Sequence, residues 1–408
     1  MGAALVLTSA CGTGSGGDGK AKVWHGYTEK EASALEKLVQ RWNITHPNQQ
    51  VELVFNGGND NALQKTLASF ASGNPPEIAY EFGSSLPGLA GRPQTQDLTD
   101  TVRGDTEFAW DDLFPAARAA ATVNGKIYGV PALVDNLSLV YNKKLFDEAK
   151  IAHPTESWTW DDFRSAAAKL SGDGRFGWAY VNDGSEDTVW RFLALLWQAG
   201  GDLLSPDGKK TAFSSDAGRQ AMQLLRDMAV TDKSVYLDAG DQQYLNLFNS
   251  GRVAMLWTGP WDLGNINEGV SYGVQILPGK VTHATIAGPD TFVVFGEEGR
   301  KKALPFLKWL LSAEVHLEFA LATGHLPLRQ SEVDLAGYAE FEAKYPGTRV
   351  FVENLAKNVT KSRPNIPQYQ KISQVLGTAV QSVLLGQAEP AAALTQAATE
   401  ADQVLAGS

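Results

Sequence analysis

Lys22-Val-Trp-His-Gly-Tyr-Thr28 opens the part of the chain that decides the fold. Residues 22–24 read as a short strand, with His25, Gly26 and Tyr27 as the loop after it. Thr28 with Glu31 has the spacing of a capping box. Leu35, Leu38, Val39 and Trp42 then fall on one helical face. Pro47-Asn48 ends that unit, and residues 51–55 form the next strand. Asn56-Gly-Gly-Asn-Asp-Asn61 leads into a helix whose apolar face is Leu63, Leu67 and Phe70. Asn74-Pro-Pro76 turns the chain into a strand at 78–82. Strand–helix–strand–helix–strand is the signature of an α/β fold with a mostly parallel sheet and helices on its faces. Ligands in such sheets sit beyond the carboxyl ends of the strands. That rule points at residues 25–27, 59–61 and 81–84.

The remainder continues the pattern. Asn124-Gly125 is a tight-turn dipeptide between a helix at 116–121 and a strand at 126–130. Thr159 caps a helix with Asp162 three residues on. A strand at 176–181 precedes a helix at 187–200 rich in aromatic residues, carrying Trp190, Phe192 and Trp197. Further helices are expected at 217–229, 302–311 and 313–322, with strands at 137–141, 272–277 and 291–295. The tail, 368–405, is largely helical and breaks near Pro390. Phe248-Asn-Ser-Gly-Arg-Val-Ala-Met-Leu-Trp-Thr-Gly-Pro-Trp261 is the second landmark. Residues 253–257 read as a buried strand that Gly259-Pro260 breaks, leaving Trp261 at its mouth. Such an indole either folds back on the core or meets a ligand.

Composition bounds the function. At 408 residues the chain exceeds the size of one growing core, so two domains are expected. A formal charge of −11 argues against nucleic acid or an anionic membrane surface as partner. The single cysteine, Cys11, excludes an intrachain disulfide and a cysteine-based zinc site. Six scattered histidines show no metal-ligand spacing, so neither a metal nor another cofactor is expected.

Ala3-Ala-Leu-Val-Leu-Thr-Ser-Ala10 is a short apolar run ending in small residues before Cys11, and a Gly/Ser-rich tether follows it. The tether also matches G-x-G-x-x-G at Gly12, Gly14 and Gly17, but it neither follows a strand nor opens a helix, so no dinucleotide site is read there. Apolar run, small residues, cysteine and tether resemble a bacterial lipoprotein signal with its lipobox. That resemblance implies Cys11 as the lipidated first residue of a mature chain held at the membrane. The run is far shorter than the roughly 20 residues that span a bilayer.

Several segments occur in a recognisable order over nearly the whole chain after residue 21. They are Ala71-Ser-Gly-Asn-Pro-Pro-Glu-Ile78, Asn124-Gly-Lys-Ile-Tyr-Gly-Val-Pro131, Leu137-Ser-Leu-Val-Tyr-Asn-Lys143, Trp158-Thr-Trp-Asp-Asp162, the stretch ending at Trp261, Tyr272-Gly-Val-Gln-Ile-Leu-Pro278, Gly324-His-Leu-Pro327 and Arg363-Pro-Asn-Ile-Pro367. Together they resemble the extracellular solute-binding proteins, family 1, of ABC sugar importers, which are maltose-binding-protein-like. The resemblance implies a two-lobed, type II periplasmic-binding-protein-like fold with ligand in the interlobe cleft. Crossings are expected near Val134-Asp135, near Pro278 and at 324–327. Residues 1–21 would be signal and tether, 22–134 with 279–326 lobe one, and 135–278 with 327–408 lobe two.

The same resemblance implies the site. Trp261 matches the stacking aromatic after the Gly-Pro turn. Trp190 lies where the family presents an aromatic at a helix start, with core packing the alternative. Trp178 or Tyr180 could line the same wall, core packing being the other reading for at least one. Glu81 and Asp135 stand where acids bind sugar hydroxyls; a surface glutamate and a turn-forming aspartate are the alternatives. Asn61 faces ligand or caps a helix, as does Asp60. Arg363 reaches the cleft or stays solvated, and Arg329 is a weaker candidate. Gly288 matches a close backbone approach, but Pro289 and Asp290 follow it where an aromatic is commoner. The aromatic that maltose-binding relatives carry in the last helix falls at about Ser373 or Gln374 here.

A neutral sugar offers hydroxyls to carboxylates and C–H patches to ring faces, so acids and aromatics at strand ends suit it. The expectation is a monomeric, lipid-anchored, extracytoplasmic receptor that captures a mono- or oligosaccharide and delivers it to an ABC permease. One alternative is a receptor for a glycerol-phosphate-type ligand. The other is a carbohydrate-active enzyme using an acid pair such as Glu81 and Asp135.

Overall fold

The computed structural model describes residues 19–58, 62–240, 242–356 and 360–407. Its strands, in chain order, are β1 (Ala21–His25), β2 (Val51–Phe55), β3 (Ile78–Phe82), β4 (Thr122–Val123), β5 (Lys126–Ile127), β6 (Gly129–Pro131) and β7 (Ser138–Asn142). They continue as β8 (Phe176–Val181), β9 (Val235–Asp238), β10 (Val253–Thr258), β11 (Tyr272–Gln275), β12 (Thr285–Ala287), β13 (Asp290–Val294) and β14 (Thr360–Ser362). Two five-stranded sheets, β2-β1-β3-β13-β6 and β11-β7-β10-β8-β9, each carry helices and each have a large apolar core. Among the described residues no helix is long and apolar enough to cross a membrane.

The opening pattern holds: β1 pairs in parallel with both β2 and β3. Each sheet is mostly parallel, with one strand reversed. In the first, β13 runs antiparallel to β3 and to β6. In the second, β7 is antiparallel to β10 and to β11, while β8 is parallel to β10 and β9. The antiparallel members are strands that enter a sheet from the other half of the chain, so no βαβ crossover sets their direction.

Local chemistry explains most element ends. Asn124 and Gly125 take φ of 50° and 78°, the left-handed pair that joins β4 to β5. Thr159 accepts from the Asp162 amide, and the Asp162 carboxylate accepts from the Thr159 amide, a complete capping box on the helix Trp160–Lys169. Thr28 is an N-cap in extended conformation, but its side chain makes no cap hydrogen bond, so that box is incomplete. In the second sheet Phe163, Trp178 and Trp257 pack ring against ring at 5.1 to 5.5 Å. Each such contact contributes roughly 0.5–1.5 kcal/mol beyond area burial.

The crossings between halves are held by polar groups. Val134 bridges Leu326, Asn136 bridges Ala287, and β12 pairs with β14. The Asn354 amide donates to Asn136 Oδ1 and Ser138 Oγ, both at 2.9 Å, and Asn136 donates to the Phe351 carbonyl. Fully buried His316 spans Glu332, 2.9 Å from Nδ1, and the Ala132 carbonyl, 2.9 Å from Nε2. Glu332 also accepts from the Leu328 amide. These bonds tie residue 132, just before the first crossing, to the segment following residue 327.

Candidate functional site

The carboxyl ends of β1, β3, β8, β9 and β10 converge on one cleft of about 1170 Å³ between the two halves. β10 ends at Gly259-Pro260, and the 3-10 turn Pro260–Asn265 swings Trp261 back across Gly259. A Cβ at Gly259 would lie 1.8 Å from the indole, so only glycine allows this fold-back. Asp262 is buried beneath and accepts from Thr258 Oγ1 at 2.5 Å and from Tyr244 Oη at 3.1 Å, which fixes the turn. The helix Glu186–Gln198 brings Trp190 beside Trp261, ring centroids 5.9 Å apart and tilted by 35°. The two indoles make a continuous apolar wall. Tyr27, Tyr80 and Phe82 line the cleft from the first half.

Polar groups gather around Gly288. A Cβ there would meet Asp135 Oδ1 at 2.8 Å, Trp190 Cζ2 at 3.2 Å and Arg363 Nη2 at 3.4 Å. Glycine therefore keeps open the point on which acid, indole and guanidinium converge. Arg363 lies over the Phe82 ring, 5.3 Å from its centre, and 3.4 Å from Glu186 Oε1. Glu186 is held in turn by Tyr369 Oη at 2.6 Å and by Ser373 Oγ.

Burial raises the Asp135 carboxyl to about 7, although Arg363 opposes the shift. Burial, with Asp135 adding repulsion, pushes Asp290 well above the carboxylate range, and Tyr80 donates a hydrogen bond to it. His325 sits 3.7 Å from Asp135, yet burial lowers it to about 4, so it adds no positive charge at neutral pH. Among the described residues Trp190 Nε1, Tyr27 Oη and Asp135 Oδ1 are buried polar atoms without a hydrogen-bond partner. Atoms left this way at a cleft wall are suited to complete their bonds with a ligand.

Trp261, Trp190, Asp135, Gly288 and Arg363 thus line one cleft. Other expected residues do not. Glu81 has no exposed surface. Side chains alternate along β3, so Tyr80 and Phe82 face the cleft while Glu81 points under the helix Ala62–Ala71, where Thr66 donates to it at 2.8 Å. Tyr180 is likewise core: its hydroxyl donates to the Thr188 carbonyl at 2.8 Å, and its ring packs edge-on against buried Trp178. Arg329 is spent on the carbonyls of Phe108, Ala109 and Leu311. Asn61, Asp60 and Cys11 lie outside the described residues.

Sequence reasoning missed Glu186, Tyr369 and Tyr80, and took Asp290 as the loss of an aromatic. Ser185 caps the helix that Glu186 begins, so Glu186 looks like an ordinary first-turn acid. Its depth in the cleft depends on the distant helix Tyr369–Leu384.

Burial lifts Glu81 from an ordinary 4.5 to about 8. A folded-state value raised above the unfolded one favours folding at low pH and loses that advantage as pH climbs towards 8. Glu81→Gln is therefore expected to match the parent near pH 4.5 and to exceed its stability at pH 8 by about 4 kcal/mol. Urea unfolding at the two pH values checks this; equal stabilities throughout would mean that Glu81 carries no buried-charge cost.

Two α/β halves around an aromatic and acidic cleft suit a receptor that holds a solute between them. The profile of the family described as bacterial extracellular solute-binding protein matches residues 26–316, and the chain belongs to that family. The chain is similar to a lipoprotein of Streptomyces antibioticus, 26% identical over 351 residues, covering 79% of this chain and 74% of that one. It is also similar to the sn-glycerol-3-phosphate-binding periplasmic protein of Escherichia coli (strain K12), 24% identical over 410 residues, covering 94% and 91%. Among solved structures, the cyclic alpha-maltosyl-1,6-maltose binding protein from Arthrobacter globiformis superposes with a TM-score of 0.79 at 26% identity, covering 95% of this chain and 99% of that one.

Proposed function

We propose that the protein captures a mono- or oligosaccharide between its lobes and delivers it to an ABC permease. The observation that carries this reading is the pairing of the Trp190–Trp261 wall with carboxyl groups around Gly288. Ring faces take the C–H side of a sugar, and carboxylates take its hydroxyls. The similarity to a maltosyl-sugar-binding protein supports it. A phosphate-bearing ligand, as bound by the Escherichia coli relative, needs surplus cations. Arg363 is engaged by Glu186, Arg191 by Asp187, and Lys371 stands exposed at the rim.

Binding works by differential affinity: a ligand touching both halves favours their closed arrangement. We take lobe one as 22–134 with 279–326 and lobe two as 135–278 with 327–408, the stretch around Arg329 staying packed on lobe one. Trp261, Trp190, Asp135, Gly288 and Arg363 are assigned to the ligand. The lipobox-like run before Cys11 supports a monomeric receptor anchored by lipid to the outer face of the cytoplasmic membrane, as does the similarity to a Streptomyces lipoprotein.

Thermal unfolding against a panel of neutral sugars, sn-glycerol 3-phosphate and glycerophosphodiesters tests the ligand class. A saturating sugar at about 100 times its Kd stabilises the fold by about 2.7 kcal/mol. Stabilisation by sugars alone is expected. Stabilisation only by the phosphates would overturn the assignment.

A further inference from the structure

The centre of the cleft holds more buried carboxyl groups than its cations can pair with. Arg363 acts on Asp135 and on Asp290, yet its contact partner is Glu186. The other charged neighbours do not make up the difference. Arg191 is paired with Asp187, Glu31 adds a further acid 3.9 Å from His325, and His325 is neutral. Asp183 and Asp238 are occupied with local amide and hydroxyl donors, so the acids left without a cation in contact are Asp135 and Asp290.

The unpartnered atoms beside these acids are of two kinds. Tyr27 Oη and Asp135 Oδ1 can accept, and Tyr27 is only 2% exposed. Trp190 Nε1, on a residue 7% exposed, can only donate, and the same ring edge reaches Gly288 next to Asp135 Oδ1. A hydroxyl alone satisfies the donor but leaves both acids without a cation. An ammonium alone satisfies the acceptors but offers nothing to the indole N–H. Among the described residues no group of three His, Cys, Asp or Glu is placed to hold a metal ion, so a bound cation of that sort does not fill the role.

Resting on the sugar reading above, we propose that the cleft selects an amino sugar, with Asp135 and Asp290 holding the ammonium and Trp190 Nε1 donating to a neighbouring hydroxyl oxygen. A vicinal amine and hydroxyl, the unit of a 2-amino-2-deoxy sugar, places both groups on adjacent carbons. The ammonium brings three donors for Asp135 Oδ1, the Asp290 carboxyl and Tyr27 Oη. Its charge also favours the ionised form of both acids, which an uncharged sugar does not.

Titration calorimetry of the purified protein at neutral pH with matched pairs tests the inference. The pairs are D-glucosamine against D-glucose and N-acetyl-D-glucosamine, D-galactosamine against D-galactose, and the deacetylated chitin disaccharide against cellobiose. In at least one pair the free amine is expected to bind about tenfold or more tightly than its uncharged counterparts. Asp290→Asn is expected to bring that ratio close to one, and Asp135→Asn does the same should the first variant fold poorly, a melting curve reporting on each. Uncharged members binding as tightly as the amines in every pair would overturn the amine assignment and leave the sugar reading standing. A retained amine preference in well-folded variants would overturn the roles of the two acids. No binding by either kind of sugar would overturn both readings.

Discussion

Trp261→Ala is expected to weaken ligand binding by about 2 kcal/mol, roughly thirtyfold in Kd, while leaving the melting temperature nearly unchanged. The indole lies at the cleft, partly buried, beyond the end of β10. Its removal strips one of the two rings from the apolar wall but leaves the core under it in place. Asp262, Thr258 and Tyr244 continue to hold the turn, so the loss falls on the ligand and not on the fold. Calorimetric titration beside a melting curve separates the two. Unchanged affinity would remove Trp261 from the site, and a large fall in melting temperature would make it a core residue. Trp190→Ala is a poorer probe because its ring is also packed in the second core.

His316→Ala is expected to cost about 3 kcal/mol of stability, because a buried acid loses its partner. Both ring nitrogens are in use, on Glu332 and on the Ala132 carbonyl, and neither partner has access to water. Arg329 Nε, 3.7 Å from Glu332, relieves part of the loss and keeps the figure at the low end for buried pairs. Urea unfolding measures it. A double variant His316→Ala, Glu332→Gln that recovers stability identifies the stranded charge as the cause; a loss under 1 kcal/mol in the single variant would show that the pair matters little.

Periodicity and punctuation made much of this molecule readable. Leu35, Leu38, Val39 and Trp42 announce their helix, Asn124-Gly125 its turn, and Gly259-Pro260 the place where an indole leaves a strand. Facing was harder. β3 is buried on both sides, so nothing in Ile78-Ala-Tyr-Glu-Phe82 says whether the odd or the even residues meet the cleft, and Glu81 was assigned to the wrong face. Tyr180 failed for the same reason on β8. Glu186, Tyr369 and Arg363 belong to one constellation only because a helix nearly 200 residues further on packs over the start of another. Nothing local encodes that contact. Asp135 was readable because it stands at a crossing, where chain direction itself leads into the cleft.

The position of β13 has a consequence for how the chain acquires its shape. It lies between β3 and β6 in the first sheet, yet it is about 200 residues further along the chain than β3. A chain emerging from its N-terminus thus presents β1, β2, β3 and β6 long before the strand that joins them exists. During that interval β3 and β6 offer bare edges to any neighbouring polypeptide. Contacts this remote in sequence also slow the search for the native arrangement. The first sheet is accordingly incomplete until residue 294 is available.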